Sequence, residues 1–142
     1  MSTSKLNFEP DGSYKLNTTN PTYVLPFFFN LAEIAANGDL LTNYTIGHRF
    51  AIVGVDFQVC KPVTTAAKLA SINLEIGTTD LTGGVVALTS ALATPAGKQV
   101  AGSAVTAANT GTSTDTISIE ASGVTAFSEG SGWLMVKVQN LD

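Results

Sequence analysis

His48 is the only histidine in the chain and Cys60 the only cysteine. Hydrolytic chemistry on either would need a nucleophile, a base and an orienting group within reach of one another. His48 sits in the loop-like run Thr45-Ile46-Gly47-His48-Arg49, with no GxSxG-type nucleophile motif beside it. It reads as a surface histidine next to a turn. Cys60 reads as the end of a strand, beside Lys61-Pro62. Lys61 would lower the thiol pKa somewhat, yet with no partner the cysteine reads as an inert small residue. One cysteine makes no intramolecular disulfide, and one Cys with one His makes no structural zinc site.

The carboxylates are dispersed. Glu9 and Asp11 lie near the N-terminus, Asp39 and Asp80 in expected turns, and Glu120 and Glu129 flank an expected loop. A calcium loop needs a dense D-x-D-x-D run and a glycosidase dyad needs two carboxylates brought together. Neither pattern is present, so no metal site is expected. The glycine pairs lack the strand, helix and lysine of a phosphate loop. The expectation is a non-enzymatic chain with no catalytic, metal-binding or cofactor-binding residues.

Aromatic residues carry a different signal. A strand sends alternate side chains to opposite faces, so Phe27, Phe28 and Phe29 cannot all enter one core. Either both faces of the segment are covered, or Phe28 points outward to meet a partner. Trp133, between Gly132 and Leu134 and out of phase with Leu134, Val136 and Val138, poses the same question. With Leu6 and Phe8 of the N-terminal segment, these form the candidate interface set: Leu6, Phe8, Phe27, Phe28, Phe29 and Trp133.

The elements that must position them are read from a period of two. Ala51, Val53, Val55, Phe57 and Val59 share a parity in Phe50 to Cys60, with Asp56 and Gln58 opposite. Ile72, Leu74 and Ile76 alternate with Ser71, Asn73 and Glu75; Ile117 and Ile119 with Thr116, Ser118 and Glu120; Leu134, Val136 and Val138 with Met135, Lys137 and Gln139. Weaker strands are expected over Tyr23 to Leu31, Val85 to Thr89 and Lys98 to Val105. Pro26 makes the first of these an edge or bulged strand, because proline cannot donate to a ladder. Asn30 to Ala36 predicts one or two helical turns closed by Asn37 or Gly38. Turns are expected at Thr82-Gly83-Gly84, Pro95-Ala96-Gly97, Asn109-Thr110-Gly111 and Glu129-Gly130-Ser131-Gly132. Thr106 to Thr114, without a large apolar group, reads as a mobile loop. The prediction is an all-β, single-domain β-sandwich or jelly roll over residues 22–142, preceded by an extended N-terminal arm over residues 1–21.

The chain has 142 residues, 44% of them hydrophobic, only 13% charged, and a net charge of −4. A core is affordable, while the surface must be Thr, Ser, Asn, Gly and Ala instead of charge. Seven scattered basic residues exclude a phosphate backbone as an expected partner. The N-terminus has no apolar run typical of a signal peptide, and Tyr23 to Phe29 is far short of the ~20 residues of a membrane-spanning helix. A chain made in a cytoplasm is expected, with no nucleic acid and no membrane among its partners. An uncharged exterior suits packing against other protein chains.

The run LTNYTIGHRFAIVGVDFQVCKPVTTAAKLASINLEIGTTDLTGGVVALTS, Leu41 to Ser90, resembles a family of small structural proteins of tailed phages. DTISIEASGVTAFSEGSGWLMVKV, Asp115 to Val138, extends the likeness, carried mainly by KPVTTAAK, EIGTTDLTGG and VTAFSEGSG. Members of this kind are similar to capsid decoration or cement proteins, which sit on the outer surface of the head and clamp major capsid subunits. The resemblance implies a virion structural role, the major capsid protein as partner, and localisation on the capsid exterior. Self-association into trimers or dimers is expected because strand edges need covering. A host-recognition or carbohydrate-binding module of a tail or fibre is the other expectation.

Overall fold

Alternating apolar residues and glycine-bearing turns organise the chain into strands with little else. The computed structural model describes residues 6–8, 14–16, 21–91 and 95–142. Its strands are β1 (Leu6–Phe8), β2 (Tyr14–Leu16), β3 (Thr22–Asn30), β4 (Gly38–Thr45), β5 (Phe50–Lys61), β6 (Leu69–Ile76), β7 (Thr79–Asp80), β8 (Val86–Thr89), β9 (Gln99–Ala101), β10 (Thr110–Gly111), β11 (Thr116–Thr125) and β12 (Ser131–Asn140). β1 and β2 pair only with each other among the described residues. The rest form two antiparallel sheets. One runs β10-β5-β12-β3, with β9 also on β5; the other runs β4-β11-β6-β7, with β8 also on β6.

From β3 to β6 the chain changes sheet at every step. It stays in the second sheet for β7 and β8, returns to the first for β9 and β10, and then alternates again through β11 and β12. If the short pairs β7/β8 and β9/β10 each fill one strand position, this is the connectivity of a jelly roll. The core lies between the sheets. Phe50, Ile52, Phe57, Ile72, Ile117, Ile119, Leu134, Val136 and Val138 are all fully buried. Each such side chain stabilises the fold by roughly 1.5–3 kcal/mol.

The expected alternations in β6, β11 and β12 hold, but that in β5 changes phase. Lys137 of β12 faces Gly54 while Val138 faces Ile52, which leaves Val53 as an extra residue in a bulge. Phe50 and Ile52 therefore point inward before the bulge, and Val55, Phe57 and Val59 after it. Val53, expected in the core, is 44% exposed.

Other local expectations are also corrected. Gly38 to Thr45 is a strand, so Asp39 lies in β4, as Asp80 lies in β7 and Glu120 within β11. The helical turns expected after Asn30 contract to a 3-10 turn over Leu31–Glu33. Its three-residue period sets Leu31 and Ile34 on one side, where both are buried. The strand expected over Lys98 to Val105 is confined to Gln99–Ala101, and Ser131 and Gly132 open β12 instead of closing a turn.

Thr106 to Thr114 is tied to the body of the molecule. Thr82 bridges Ala107, and Thr110 and Gly111 pair with Ala51 and Phe50. Asn109 completes the attachment: its carbonyl accepts from Ile52 N–H at 2.8 Å and its Nδ2 donates to Ile52 O at 2.8 Å. Polar backbone and one amide side chain do here what an apolar anchor would do elsewhere.

Candidate interaction surface

β3 lies at the edge of its sheet, and its register against β12 shows which backbone groups have no strand partner among the described residues. Asn140 N–H donates to Pro21 O at 2.8 Å, and Leu31 N–H donates to Gly130 O at 2.9 Å. With Thr22 opposite Gln139 and Asn30 opposite Ser131, the bonded positions of β3 are Tyr23, Leu25, Phe27 and Phe29. Thr22, Val24, Pro26, Phe28 and Asn30 aim their backbone groups away from β12. Pro26 thus falls where its missing N–H costs no ladder bond, as expected of an edge proline.

The same alternation divides the Phe triplet. Phe27 and Phe29 turn inward and pack half-buried against the core. Phe28 faces outward and is 47% exposed. It sits directly opposite Trp133, which is 38% exposed. The pair occupies a non-hydrogen-bonded position, where side chains approach most closely. Their rings meet edge to face, with centroids 5.2 Å apart and planes at 65°. Val24 and Pro26 continue the apolar strip along β3, and Met135 along β12. Toward β5 the face becomes polar: Gln58 lies beside Trp133, and Lys137 Nζ pairs with Asp56 Oδ2 at 3.0 Å.

Around the edge, the gap between the sheets is open. Pro26, Phe27, Phe28 and Phe29 of β3 and Leu40 and Leu41 of β4 line a groove of about 370 Å³, with Glu33 at its rim. Tyr44 of β4 makes an edge-to-face contact with Phe27, with ring centroids 5.2 Å apart. The sequence-derived residues Phe27, Phe28, Phe29 and Trp133 therefore meet at one side of the molecule, on and around one strand edge. Leu6 and Phe8 lie on the backbone of β1, and their side chains fall outside the described residues.

The outer face of the other sheet gathers carboxylates that the sequence keeps apart. Oxygens of Asp39, Glu75 and Glu120 lie within 4.8 Å of one another. Register does this, because Glu120 faces Asp39 on one side and Asn73 on the other, while Glu75 faces Asp80. Asn73 Nδ2 donates to Glu120 Oε1 at 2.7 Å and to Asp80 Oδ1 at 3.4 Å. Burial, then the charge of Glu120, raises the pKa of both Glu75 and Asp80. The grouping has the oxygen donors a hard cation would use. Expected turn chemistry does not account for Asp39 and Asp80, since both belong to strands.

His48 is engaged at both ring nitrogens. Nδ1 donates to the Arg49 carbonyl at 2.7 Å, so in the neutral ring Nε2 accepts from the Tyr23 hydroxyl. Burial, and secondarily Tyr44, raises the Tyr23 pKa. Cys60 is exposed at the end of β5.

Sequence reasoning gave no role to Glu129. Its Oε1 accepts the backbone N–H groups of Thr64 and Thr65 at 2.7 and 2.6 Å, and its Oε2 accepts the Thr65 hydroxyl at 2.8 Å. These bonds, the Thr65 N–H foremost, hold its carboxyl down to a pKa of about 2. The Thr64-Thr65 pair after Pro62 was the available signal, since it supplies adjacent hydroxyl and amide donors. No protein-family model and no curated protein matches this chain.

Proposed function

We propose that the chain is a non-enzymatic virion structural protein, a capsid decoration or cement protein that binds and stabilises the major capsid lattice. The observation that carries this reading is the exposed Phe28–Trp133 pair beside the open edge of β3. Aromatic anchors of this kind supply most of the energy of protein–protein contacts. The low-charge exterior favours burial against another protein surface, and the open edge offers backbone groups to an added strand. A component that binds only the assembled shell stabilises it by RT ln(1 + [L]/Kd) per site, so many weak sites together resist internal pressure. The chain acts on the outer surface of the capsid after synthesis in the host cytoplasm.

The test is co-sedimentation of purified protein with heads that lack it. Replacing Phe28 and Trp133 together by Ser should weaken binding by about thirtyfold or more, as loss of a hot spot of ~2 kcal/mol requires. Parental binding by the double variant would overturn the reading.

One observation also favours a carbohydrate-binding or host-recognition module: Trp133 is solvent-exposed and lies opposite the polar residue Gln58, whose Nε2 donates to Gly97 O at 2.6 Å. Against it, the 65° angle between the rings offers no flat two-ring platform for a sugar chain. A glycan array separates the two readings.

A further inference from the structure

The two sides of the sandwich are fastened differently. On the side of β7 to β10, backbone bonds sew the chain before β8 to the chain after β9. Gly84 N–H donates to Ser103 O at 2.8 Å and Ser103 N–H to Val85 O at 3.0 Å. Thr106 N–H donates to Thr82 O at 2.9 Å and Thr82 N–H to Ala107 O at 3.0 Å. On the opposite side no backbone bond joins β3 to β4 among the described residues. Side chains span that gap instead: the Tyr23 hydroxyl donates to His48 Nε2, and the Phe27 and Tyr44 rings meet edge to face. β3 and β4 are also the long strands in which no residue is fully buried, whereas β5, β6, β11 and β12 each bury several. Segments with few buried contacts open locally at the least cost.

β3 is anchored unequally at its two ends. Where it finishes, Leu31 N–H donates to Gly130 O at 2.9 Å, and both Leu31 and Ile34 are buried in the core. Where it starts, Thr22 and Val24 are exposed, and the ladder with β12 ends at the bond from Asn140 N–H to Pro21 O. His48 reinforces this weaker end. Its ring has its own support, since Nδ1 donates to Arg49 O at 2.7 Å and the same carbonyl accepts Leu141 N–H at 3.0 Å. The lone pair of the neutral ring is thereby aimed at the Tyr23 hydroxyl from a link that is itself tied to the chain beyond β12.

We propose that β3 is a strap, hinged at Leu31 and latched at Tyr23 by His48, and that its release is the opening the folded molecule reaches most readily. Release parts β3 from β12, separates Phe28 from Trp133, and bares Leu40 and Leu41 across the groove. Tyr23 and His48 are thus positioning residues for the exposed aromatic pair. The inference stands independently of what that pair meets.

Native-state hydrogen exchange on the full-length chain, without capsids, tests the strap. In the parent, the amides of Tyr23 and Leu25 should exchange faster than those of Thr82, Ser103 and Thr106, with the Leu31 amide slow. Tyr23→Phe removes one hydrogen bond and should speed exchange at positions 23 and 25 about fivefold, leaving 103 and 106 unchanged. His48→Phe should do the same, and the two changes together should do no more than either alone, because one latch is lost only once. Thr22 and Gln139 stand directly opposite at a non-hydrogen-bonded position. In a Cys60→Ser background, a disulfide between Thr22→Cys and Gln139→Cys should therefore slow exchange at 23 and 25, and reduction should restore it. Parental protection at 23 and 25 equal to that at 103 and 106, additive effects of the two substitutions, or a uniform rise over all amides would each overturn the proposal. Should the latch variants fail to fold, the disulfide decides: exchange at 23 and 25 that ignores its oxidation state overturns the strap.

Discussion

At the scale of single residues, two groups of carboxylates pull stability in opposite directions with pH. Glu129 is stabilised as an anion, with its pKa lowered to about 2 from an ordinary 4.5. Its contribution is fully present above about 4.5 and is lost as pH falls toward 2. Glu75 and Asp80 have raised pKa values, from burial and then from neighbouring carboxylates. Their contribution is present below their ordinary values and is lost as pH rises through the raised ones. Urea midpoints measured against pH should show both effects. Glu129→Gln should flatten the decline between about pH 4.5 and 2. Glu120→Gln should raise the midpoint at pH 7, and the gain should shrink on acidification as the remaining carboxyls protonate.

At the scale of elements, the turn before β8 depends on a glycine. Gly83 has φ +90°, and a Cβ there would collide with the Ala104 carbonyl. Gly83→Ala should cost about 2 kcal/mol or more, by strain and by displacement of the paired segment, measurable by chemical denaturation. The Gly83-Gly84 turn was legible in the sequence, as were β6, β11 and β12, because Leu134, Val136 and Val138 repeat without interruption. β5 was half legible: a bulge at Val53 inverts parity, and an apolar residue on either face of Phe50 to Val55 hides the inversion. β4 was missed for a related reason. Its register shifts against β11, and Asn43 adopts φ 55°, so Leu40, Leu41 and Tyr44 never alternate cleanly. Of the candidate surface, Phe28 and Trp133 were legible from strand geometry alone. The Asp39–Glu75–Glu120 grouping was not, since it exists only through the pairing of three strands.

At the scale of the whole molecule, the charged and uncharged surfaces are segregated. Carboxylates crowd one sheet face, while the Phe28–Trp133 strip and the groove beside it are mainly apolar, with Glu33 lining the groove and the paired charges of Lys137 and Asp56 beside Val24 and Met135. Association through the β3 side should therefore change little between low and physiological salt, because screening acts on charges and leaves apolar burial intact. Sedimentation across a salt series checks this, and a steep loss of binding with salt would place the contact on the acidic face. A further consequence concerns synthesis. β12 is hydrogen-bonded to both β3 and β5 and runs through the middle of its sheet. Until a ribosome has released residue 140, the two strands it joins have no common neighbour, and the first half of the chain waits with its phenylalanines uncovered. Folding is therefore governed by contacts distant in sequence, which makes it slow. A nascent polypeptide halted before residue 131 would be a substrate for chaperones and proteases, with no half-built jelly roll to protect it.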